Sequence, residues 1–125
     1  MGRRRRVVLR WRRVCRIQPR RAGLRLLVVT QGREGCRYFT AEARGRVPGF
    51  EVQTVDTTGA GDGFMAGLLV SLLADERAWE LVTNLESVLY FANAVGALTT
   101  TQRGAIPALP TREQVLKLLH KPVDN

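Results

Sequence analysis

A glycine-rich segment, DTTGAGDGF at residues 56–64, precedes the apolar run MAGLLVSLLA and constrains the fold more than any other feature of the chain. The apolar run is typical of a buried helix, and the first turn of a helix leaves backbone N–H groups unpaired. Those groups and the positive end of the helix dipole attract an anion, which glycine allows to approach closely. The segment predicts an anion site at Gly59, Ala60 and Gly61, with Asp62 beside it. The alternative is that the glycines only form a tight turn.

Apolar runs and turn signals predict an open α/β sheet with flanking helices. Three short strands are expected, at residues 24–30, 36–40 and 47–55. Three helices are expected, at residues 61–74, 84–100 and 111–120. In such a sheet, ligands bind at the carboxyl ends of the strands, and the glycine-rich segment occupies a position of this kind.

Some side chains can be assigned to the core or to a helix end from the same patterns. In the third strand, Phe50, Val52 and Val55 are expected to face inward. Thr111 is the expected N-cap of the last helix, with Glu113 in its first turn. The packed face of the middle helix is expected to consist of Leu85, Val88, Leu89, Ala92, Val95 and Gly96.

The net charge of +9 over 125 residues comes from one end of the chain. Residues 1–25 hold eleven arginines and no acid, whereas the rest has nine Lys or Arg against eleven Asp or Glu. Residues 1–23 are therefore expected to be a disordered Arg-rich tail, and residues 24–125 the folded domain. An organelle-targeting segment and a nucleic-acid-binding arm with Trp11 as a stacking residue are weaker alternatives.

The residues and motifs that the sequence lacks argue against several classes of protein. Cys15 and Cys36 lack metal-ligand spacing, and His120 has no partner for a zinc or triad site. No lysine precedes Lys117, which excludes a Walker-type phosphate loop, and the protein-kinase motifs are missing. No apolar run approaches the roughly 20 residues that span a bilayer. We expect a soluble protein without a membrane partner, located in the cytoplasm or, as an alternative, in a plastid.

A carboxylate next to a bound phosphate indicates phosphoryl transfer. The two charges repel, so Asp62 would be costly at an anion site unless it took part in the chemistry. It could accept the proton of a hydroxyl that attacks the phosphate, while the helix end stabilises the charge on the transferred group. The geometry suits phosphorylation of a sugar or alcohol.

Three segments together resemble the ribokinase-like (PfkB) family of carbohydrate kinases, in the form seen in fructokinases. They are DTTGAGDGF, LLVVTQGREGCRYFT and FANAVGALTTTQRGAIPALPT, which occur in the family's order and cover roughly residues 24–119. The resemblance implies the C-terminal portion of a ribokinase-like fold. It also implies ATP-dependent phosphorylation of fructose to fructose 6-phosphate, magnesium with the ATP, potassium as an activator, and a homodimer for full-length members.

The resemblance implies roles for individual residues. Asp62 corresponds to the general base, and the backbone of Gly59, Ala60 and Gly61 to the anion hole. The positions that match the family's ATP site are Thr30, Gly32, Gly35 and Asn93. For Asn93, the alternative is a helix asparagine that faces solvent or bonds locally.

The family also binds a monovalent cation next to the anion hole. Asp56 and Thr58 match positions that help to hold it. Loop positions that would add backbone carbonyl oxygens are Thr99, Gln102, Gly104 and Ala108. Oxygen ligands suit a hard cation. The alternative for Asp56 is an Asx residue that only forms a turn.

The chain departs from the family pattern in two respects. Gly63 stands where alanine is usual, which is expected to cost only some helix propensity. Family members are also much longer, and the sugar-binding N-terminal half is expected to be missing, as in a truncated gene model. A parallel sheet divided in this way would expose an edge. The 125-residue chain is then expected to bind ATP weakly and to phosphorylate no sugar. The alternative function is a non-catalytic nucleotide-binding or interaction protein.

Overall fold

The computed structural model describes residues 23, 25–75, 77, 82–104 and 106–121. In chain order the elements are β1 (Leu27–Thr30), β2 (Cys36–Phe39), β3 (Arg44–Val47), α1 (Ala60–Ala74), α2 (Val82–Thr99) and α3 (Arg112–Leu119). A 3-10 turn over Gly32–Glu34 joins β1 to β2. The predicted Arg-rich tail lies outside the described residues except for Gly23. No helix in the described part of the chain is long and apolar enough to cross a membrane.

The three strands form one antiparallel sheet in the order β1-β2-β3. Val29 lies opposite Arg37, and Arg37 lies opposite Arg46 on the other side. The expectation of a parallel arrangement is wrong for these strands. The connections at residues 31–35 and 40–43 are too short for the crossover that a parallel pair needs, so the chain can only turn back on itself.

The third strand was expected at residues 47–55, but β3 ends at Val47. Pro48 removes a backbone donor at the point where the strand would have continued. Further along, the N–H of Val55 donates to the carbonyl oxygen of Thr100 at 2.8 Å rather than to a neighbouring strand. Val55 is 56% exposed, so its assignment to the core is wrong, whereas Phe50 packs against a core cluster.

The two long helices, α1 and α2, pack closely against each other and hold the core together. Leu85, Leu89, Ala92 and Val95 of α2 are buried, as the helical spacing predicts. The contact is close because small residues face each other: a β-carbon on Gly67 would lie 2.9 Å from Val95 Cγ2. The sheet contributes Tyr38 and Val47 to the cluster that holds Leu85, Leu89 and Ala92, whereas Val115 of α3 packs with Val95 in a second cluster.

The last helix begins where the sequence predicts. Thr111 is its N-cap and accepts a hydrogen bond from the N–H of Gln114 at 3.3 Å. The Gln114 side chain accepts one in return from the N–H of Thr111 at 2.8 Å, which completes a capping box. Glu113 lies in the first turn, also as predicted.

Candidate active site

The start of α1 has the geometry of an anion-binding helix end. Gly59 is the N-cap residue and has φ of +80°, a left-handed conformation that favours glycine. The N–H of Ala60 donates to Thr57 O at 3.2 Å, and the N–H of Gly63 donates to Gly59 O at 2.8 Å. Of the three predicted anion-hole positions, Ala60 therefore has its N–H bonded to Thr57, whereas among the described residues the N–H groups of Gly59 and Gly61, and that of Asp62, have no hydrogen-bond partner. Unpaired N–H groups at a helix start are available to an anion.

Asp62 lies in the first turn of α1 and is exposed. Its neighbour Gly61 is open to solvent: a β-carbon built there would meet nothing within 4 Å. Gly61 and Asp62 are both exposed, so a ligand has access to this end of the helix.

A cleft of about 530 Å³ adjoins the helix start. Its walls come from the turn after β1, the segment that follows β3, the start of α1 and one side of α2. Six residues predicted from the sequence line it: Thr30, Gly32, Gly35, Ala60, Gly61 and Asn93. The structure thus brings the predicted ATP-site positions and two of the anion-hole positions to one cavity, although they are far apart in the chain.

Gly35 shapes one wall of this cleft. Its φ is +96°, and a β-carbon there would lie 2.6 Å from the nitrogen of Gly49 and 2.7 Å from the carbonyl carbon of Pro48. The same crowding holds at Gly49, where a β-carbon would lie 2.8 Å from the nitrogen of Gly35. Two glycines therefore allow two backbone segments to touch, and any larger residue at Gly35 would push the wall apart.

Asn93 is buried at 7% exposure and joins α2 to the same wall. Its Nδ2 donates to Pro48 O at 3.0 Å and to Val47 O at 3.3 Å. The alternative of a solvent-facing or locally bonded asparagine is wrong, because both partners lie in a distant segment. Burial raises the pKa of the nearby Cys36 thiol to about 11, and a hydrogen bond with Asn93 partly offsets that effect.

Asp56 connects two of the loops expected to hold a cation. Its Oδ1 accepts from the N–H of Thr58 at 2.9 Å, and its Oδ2 accepts from the N–H of Gly104 at 3.2 Å. The first bond is an Asx turn, but the second reaches a different loop, so Asp56 does more than form a turn. The N–H of Thr58 is the main reason why the pKa of Asp56 lies below its ordinary value.

The other predicted cation positions differ in their surroundings. The N–H of Asp56 donates to Thr100 O at 3.0 Å, which places the residues after α2 beside Asp56. Thr99 is fully buried, and its hydroxyl donates to Val95 O at 2.8 Å. Ala108 is buried and Gln102 is exposed. The described residues include no cluster of three or more His, Cys, Asp or Glu side chains that could hold a metal.

The structure adds cleft residues that the sequence did not identify. Arg33 and Glu51 bring side chains of opposite charge to the cleft, while Phe50 gives it an aromatic surface. The Phe50 ring lies 4.6 Å from the Tyr90 ring, between centroids, at an interplanar angle of 42°. Phe50 was expected in a strand, and only the spatial meeting of its segment with α2 makes it a cleft residue.

Comparison with known proteins identifies relatives of the chain. The sequence model of the pfkB family carbohydrate kinase matches residues 16–112. Fructokinase-2 of Oryza sativa subsp. japonica is 52% identical over 99 residues, which make up 79% of this chain and 30% of that protein. The chain therefore spans under a third of the length of this curated relative.

Solved structures agree with this relationship. Fructokinase with bound ATP from Xylella fastidiosa has a TM-score of 0.73 and 35% identity, covering 78% of this chain and 33% of that one. A fructokinase double mutant from Vibrio cholerae O395, in a form with fructose, ADP and potassium ion bound, has a TM-score of 0.72 and 37% identity, covering 78% of this chain and 31% of that one. The similarity confirms the predicted partial ribokinase-like fold.

Proposed function

Because the chain belongs to the pfkB family of carbohydrate kinases, we propose that it carries the nucleotide-binding and base side of an ATP-dependent sugar kinase that converts fructose to fructose 6-phosphate. One observation carries the proposal. Asp62 is exposed in the first turn of α1, where the N–H groups of Gly59, Gly61 and Asp62 are unpaired among the described residues, and its neighbour Gly61 lines a cleft. A base, an anion site and a cavity are the parts that phosphoryl transfer to an alcohol needs.

Each part has a role in the transfer. The acceptor hydroxyl of the sugar attacks the γ-phosphorus of ATP, and its proton passes to the carboxylate of Asp62. A bond forms between the sugar oxygen and phosphorus as the bond between phosphorus and the bridging oxygen of ADP breaks. The proposed anion hole, the backbone of Gly59, Ala60 and Gly61, stabilises the negative charge on the transferred group together with the unpaired N–H of Asp62 and the dipole of α1.

The cleft supports an assignment to ATP. Its volume of about 530 Å³ is within the range of ligand pockets. Phe50 offers an aromatic surface for the base, and Arg33 offers a positive charge for phosphate. Thr30, Gly32, Gly35 and Asn93 remain the proposed nucleotide-side positions, with Asn93 acting through the wall that it holds rather than through its amide donors.

Magnesium is proposed to enter with ATP, and potassium to bind beside the anion hole. The residues present fit a monovalent cation, because Asp56 stays ionised and draws Thr58 and the loop around Gly104 together. Carbonyl oxygens near this junction are hard ligands. Asp56, Thr58, Thr99, Gln102, Gly104 and Ala108 are the proposed holders. A bound potassium ion would add positive charge next to the helix start.

The alternative of a non-catalytic nucleotide-binding protein is not favoured, since the relatives reported above are fructokinases. Homodimerisation and a cytoplasmic or plastid location stay predictions. Nucleic-acid binding by the Arg-rich tail is a prediction that lies outside the described residues.

The proposal is tested in a chimera in which the matched residues of this chain replace their counterparts in Oryza sativa Fructokinase-2. The chimera is given ATP, magnesium, potassium and a panel of sugars, and sugar-dependent release of ADP is measured. Turnover that is highest with fructose supports the proposal, whereas ADP release that is independent of sugar contradicts it. The 125-residue chain, assayed in parallel, is expected to show no sugar phosphorylation above background.

A further inference from the structure

The face of the sheet that points away from α2 carries three arginines. Tyr38 in β2 is buried in the core that the sheet shares with α2, so its neighbour Arg37 projects from the opposite face. Arg46 lies directly opposite Arg37 in the register of β2 and β3, and residues paired in this way share a face. Arg44, two residues before Arg46 in β3, projects from that face as well. Arg37, Arg44 and Arg46 therefore form one arginine cluster.

The arginine cluster has no acidic counter-charge in the part of the chain that the structure describes. None of its three members forms an ion pair there. Within the same residues, the one hydrogen bond of the cluster joins Nη2 of Arg46 to the carbonyl oxygen of Glu34 at 3.3 Å, and that acceptor is uncharged. Like charges directly opposite each other on neighbouring strands destabilise a sheet. An anion that bridges the guanidinium groups of Arg37 and Arg46 would remove this repulsion.

Arg37 differs from an ordinary solvated arginine. Charges on an edge strand keep another chain from pairing with it, which can account for Arg44 and Arg46 of β3, but Arg37 lies in the middle strand. Its side chain is half-buried, and its Nε is buried without a hydrogen-bond partner among the described residues. A guanidinium that is partly removed from water and unpaired is costly. Its terminal nitrogens are not buried in this way, so they are open to a ligand.

We propose that the arginine cluster binds the phosphate group of a small molecule. A phosphate monoester carries about −1.5 to −2 charges at pH 7, which balances the two facing guanidinium groups, whereas a single carboxylate would leave them with excess positive charge. The planar fork of donors in arginine also matches phosphate oxygens. The cluster is compact, and apolar Val29 borders it opposite Arg37 in β1. This border favours a small molecule over a long polyanion, which needs a run of positive charges.

This phosphate site is separate from the cleft and from the proposed anion hole at the start of α1. Of the described residues that line the cleft, none belongs to the arginine cluster. The two places are joined through Glu34, whose carbonyl oxygen accepts from Arg46 and which lies in the 3-10 turn between β1 and β2. Gly32 of that turn lines the cleft. The phosphate site rests on the sheet alone and not on the proposed function.

The direct test is a titration of the 125-residue chain with inorganic phosphate at constant ionic strength, followed by NMR of the arginine Nε–H signals. The signals are assigned with the variants Arg37→Gln and Arg46→Gln. We expect the signals of Arg37 and Arg46 to shift together and to saturate, with half-saturation at millimolar phosphate. Arg77, which is exposed and lies beyond the end of α1, is the internal control and should show no saturating shift. Acetate should produce no saturating shift of either cluster signal.

A second measurement compares the thermal stability of variants with and without saturating phosphate. Arg37→Gln and Arg46→Gln should each reduce the phosphate-induced rise in Tm by about 3 °C or more, because a ligand that binds the folded chain stabilises it. Arg77→Gln is the matched control and should keep the full rise. Phosphate that binds residues 1–22 or the start of α1, and the general effect of the salt, act on all variants and cancel in the comparison.

Two results would overturn the proposal. The first is a phosphate titration without saturating shifts of Arg37 and Arg46, or an equal rise in Tm for all variants. The second is a single-stranded DNA of about ten nucleotides, without terminal phosphates, that shifts these signals while inorganic phosphate does not. That result would make a nucleic acid the ligand. Neither readout depends on catalysis, so phosphate binding at the cluster together with an inactive kinase chimera would contradict the proposed function alone.

Discussion

The hydroxyl oxygen of Thr99 occupies the space in which a β-carbon at residue 63 would stand. Gly63 is one turn into α1, and Thr99 is the last residue of α2, so the contact joins the helix that begins at the anion site to the loop proposed to hold a cation. The same β-carbon would lie 3.1 Å from Thr99 Cβ and 3.4 Å from Val95 O. The glycine is therefore a packing requirement, in addition to the small loss of helix propensity expected from the sequence.

Gly63→Ala should destabilise the 125-residue chain by about 1–3 kcal/mol, because Thr99 is fully buried and must rotate away from its bond to Val95 O. The measurement is the free energy of unfolding in urea. Adding Thr99→Ala should recover part of the loss, so that the double variant is more stable than the sum of the single effects predicts. Gly61→Ala is the control, since nothing surrounds that position, and it should be neutral or stabilising by up to about 1 kcal/mol. Equal effects of the two alanines would contradict the packing account.

Asn93→Ala should cost about 1–3 kcal/mol in the same measurement, because the carbonyl oxygens of Val47, which is buried, and of Pro48 lose their donor. Asn93→Asp should cost more, since it sets a carboxylate against those oxygens. Asn84→Ala, at an exposed position on α2, should change stability by less than about 0.5 kcal/mol. An aspartate variant as stable as the original chain would show that the amide does not hold the wall.

Asp56→Asn should remove an acid-sensitive part of the stability. The folded pKa of Asp56 lies below its ordinary value of 3.8, so its contribution is fully present above that pH and is lost as the pH falls through the folded pKa. The difference in unfolding free energy between the original chain and Asp56→Asn should therefore shrink below a pH of about 4. Asp75→Asn is the comparison, because within the part of the chain that the structure describes its carboxylate accepts a backbone hydrogen bond from the neighbouring Arg77 and none from a distant loop. A difference that is constant with pH would contradict the role of the Asp56 carboxylate.

Tyr38 should make the chain lose stability at high pH. Its hydroxyl donates to Glu86 Oε1 at 2.6 Å, and this bond, followed by burial, raises the pKa of Tyr38 from 10.0 to about 12. Because the pKa of Tyr38 is higher in the folded than in the unfolded chain, its protonated hydroxyl stabilises the fold fully at pH values below 10. That contribution is lost as the pH rises from 10 to about 12. In urea titrations over that range, the advantage of the original chain over Tyr38→Phe should disappear. Tyr90→Phe is the control, and an equal response of both variants would contradict the assignment.

The spacing of apolar residues and the capping residues in the sequence predicted the helices, their buried faces and the start of α3. The spacing of Leu85, Leu89 and Ala92 follows from helical periodicity alone, and Thr111 caps α3 through residues within one turn. The glycine-rich segment was likewise predictable, because Gly59 must adopt a conformation that other residues avoid. These properties need no knowledge of the rest of the chain.

Properties that depend on distant contacts were not predictable. The β3 sequence RGRV lacks the apolar alternation of a strand and pairs only because β2 lies beside it. The partners of Asn93 lie more than forty residues away along the chain, and the second bond of Asp56 reaches Gly104 over a similar separation. Sequence spacing shows where such residues are, but not which backbone groups they meet.

The central claim, that Asp62 is the base of a sugar kinase, is tested most directly by Asp62→Asn in the chimera with Oryza sativa Fructokinase-2. The amide keeps the size of the side chain but cannot accept the proton, so fructose-dependent turnover should fall by at least about two orders of magnitude while ATP binding changes little. Asp75→Asn, just beyond the other end of α1, should leave turnover near that of the unsubstituted chimera. Near-normal turnover of the Asp62→Asn chimera would contradict the account.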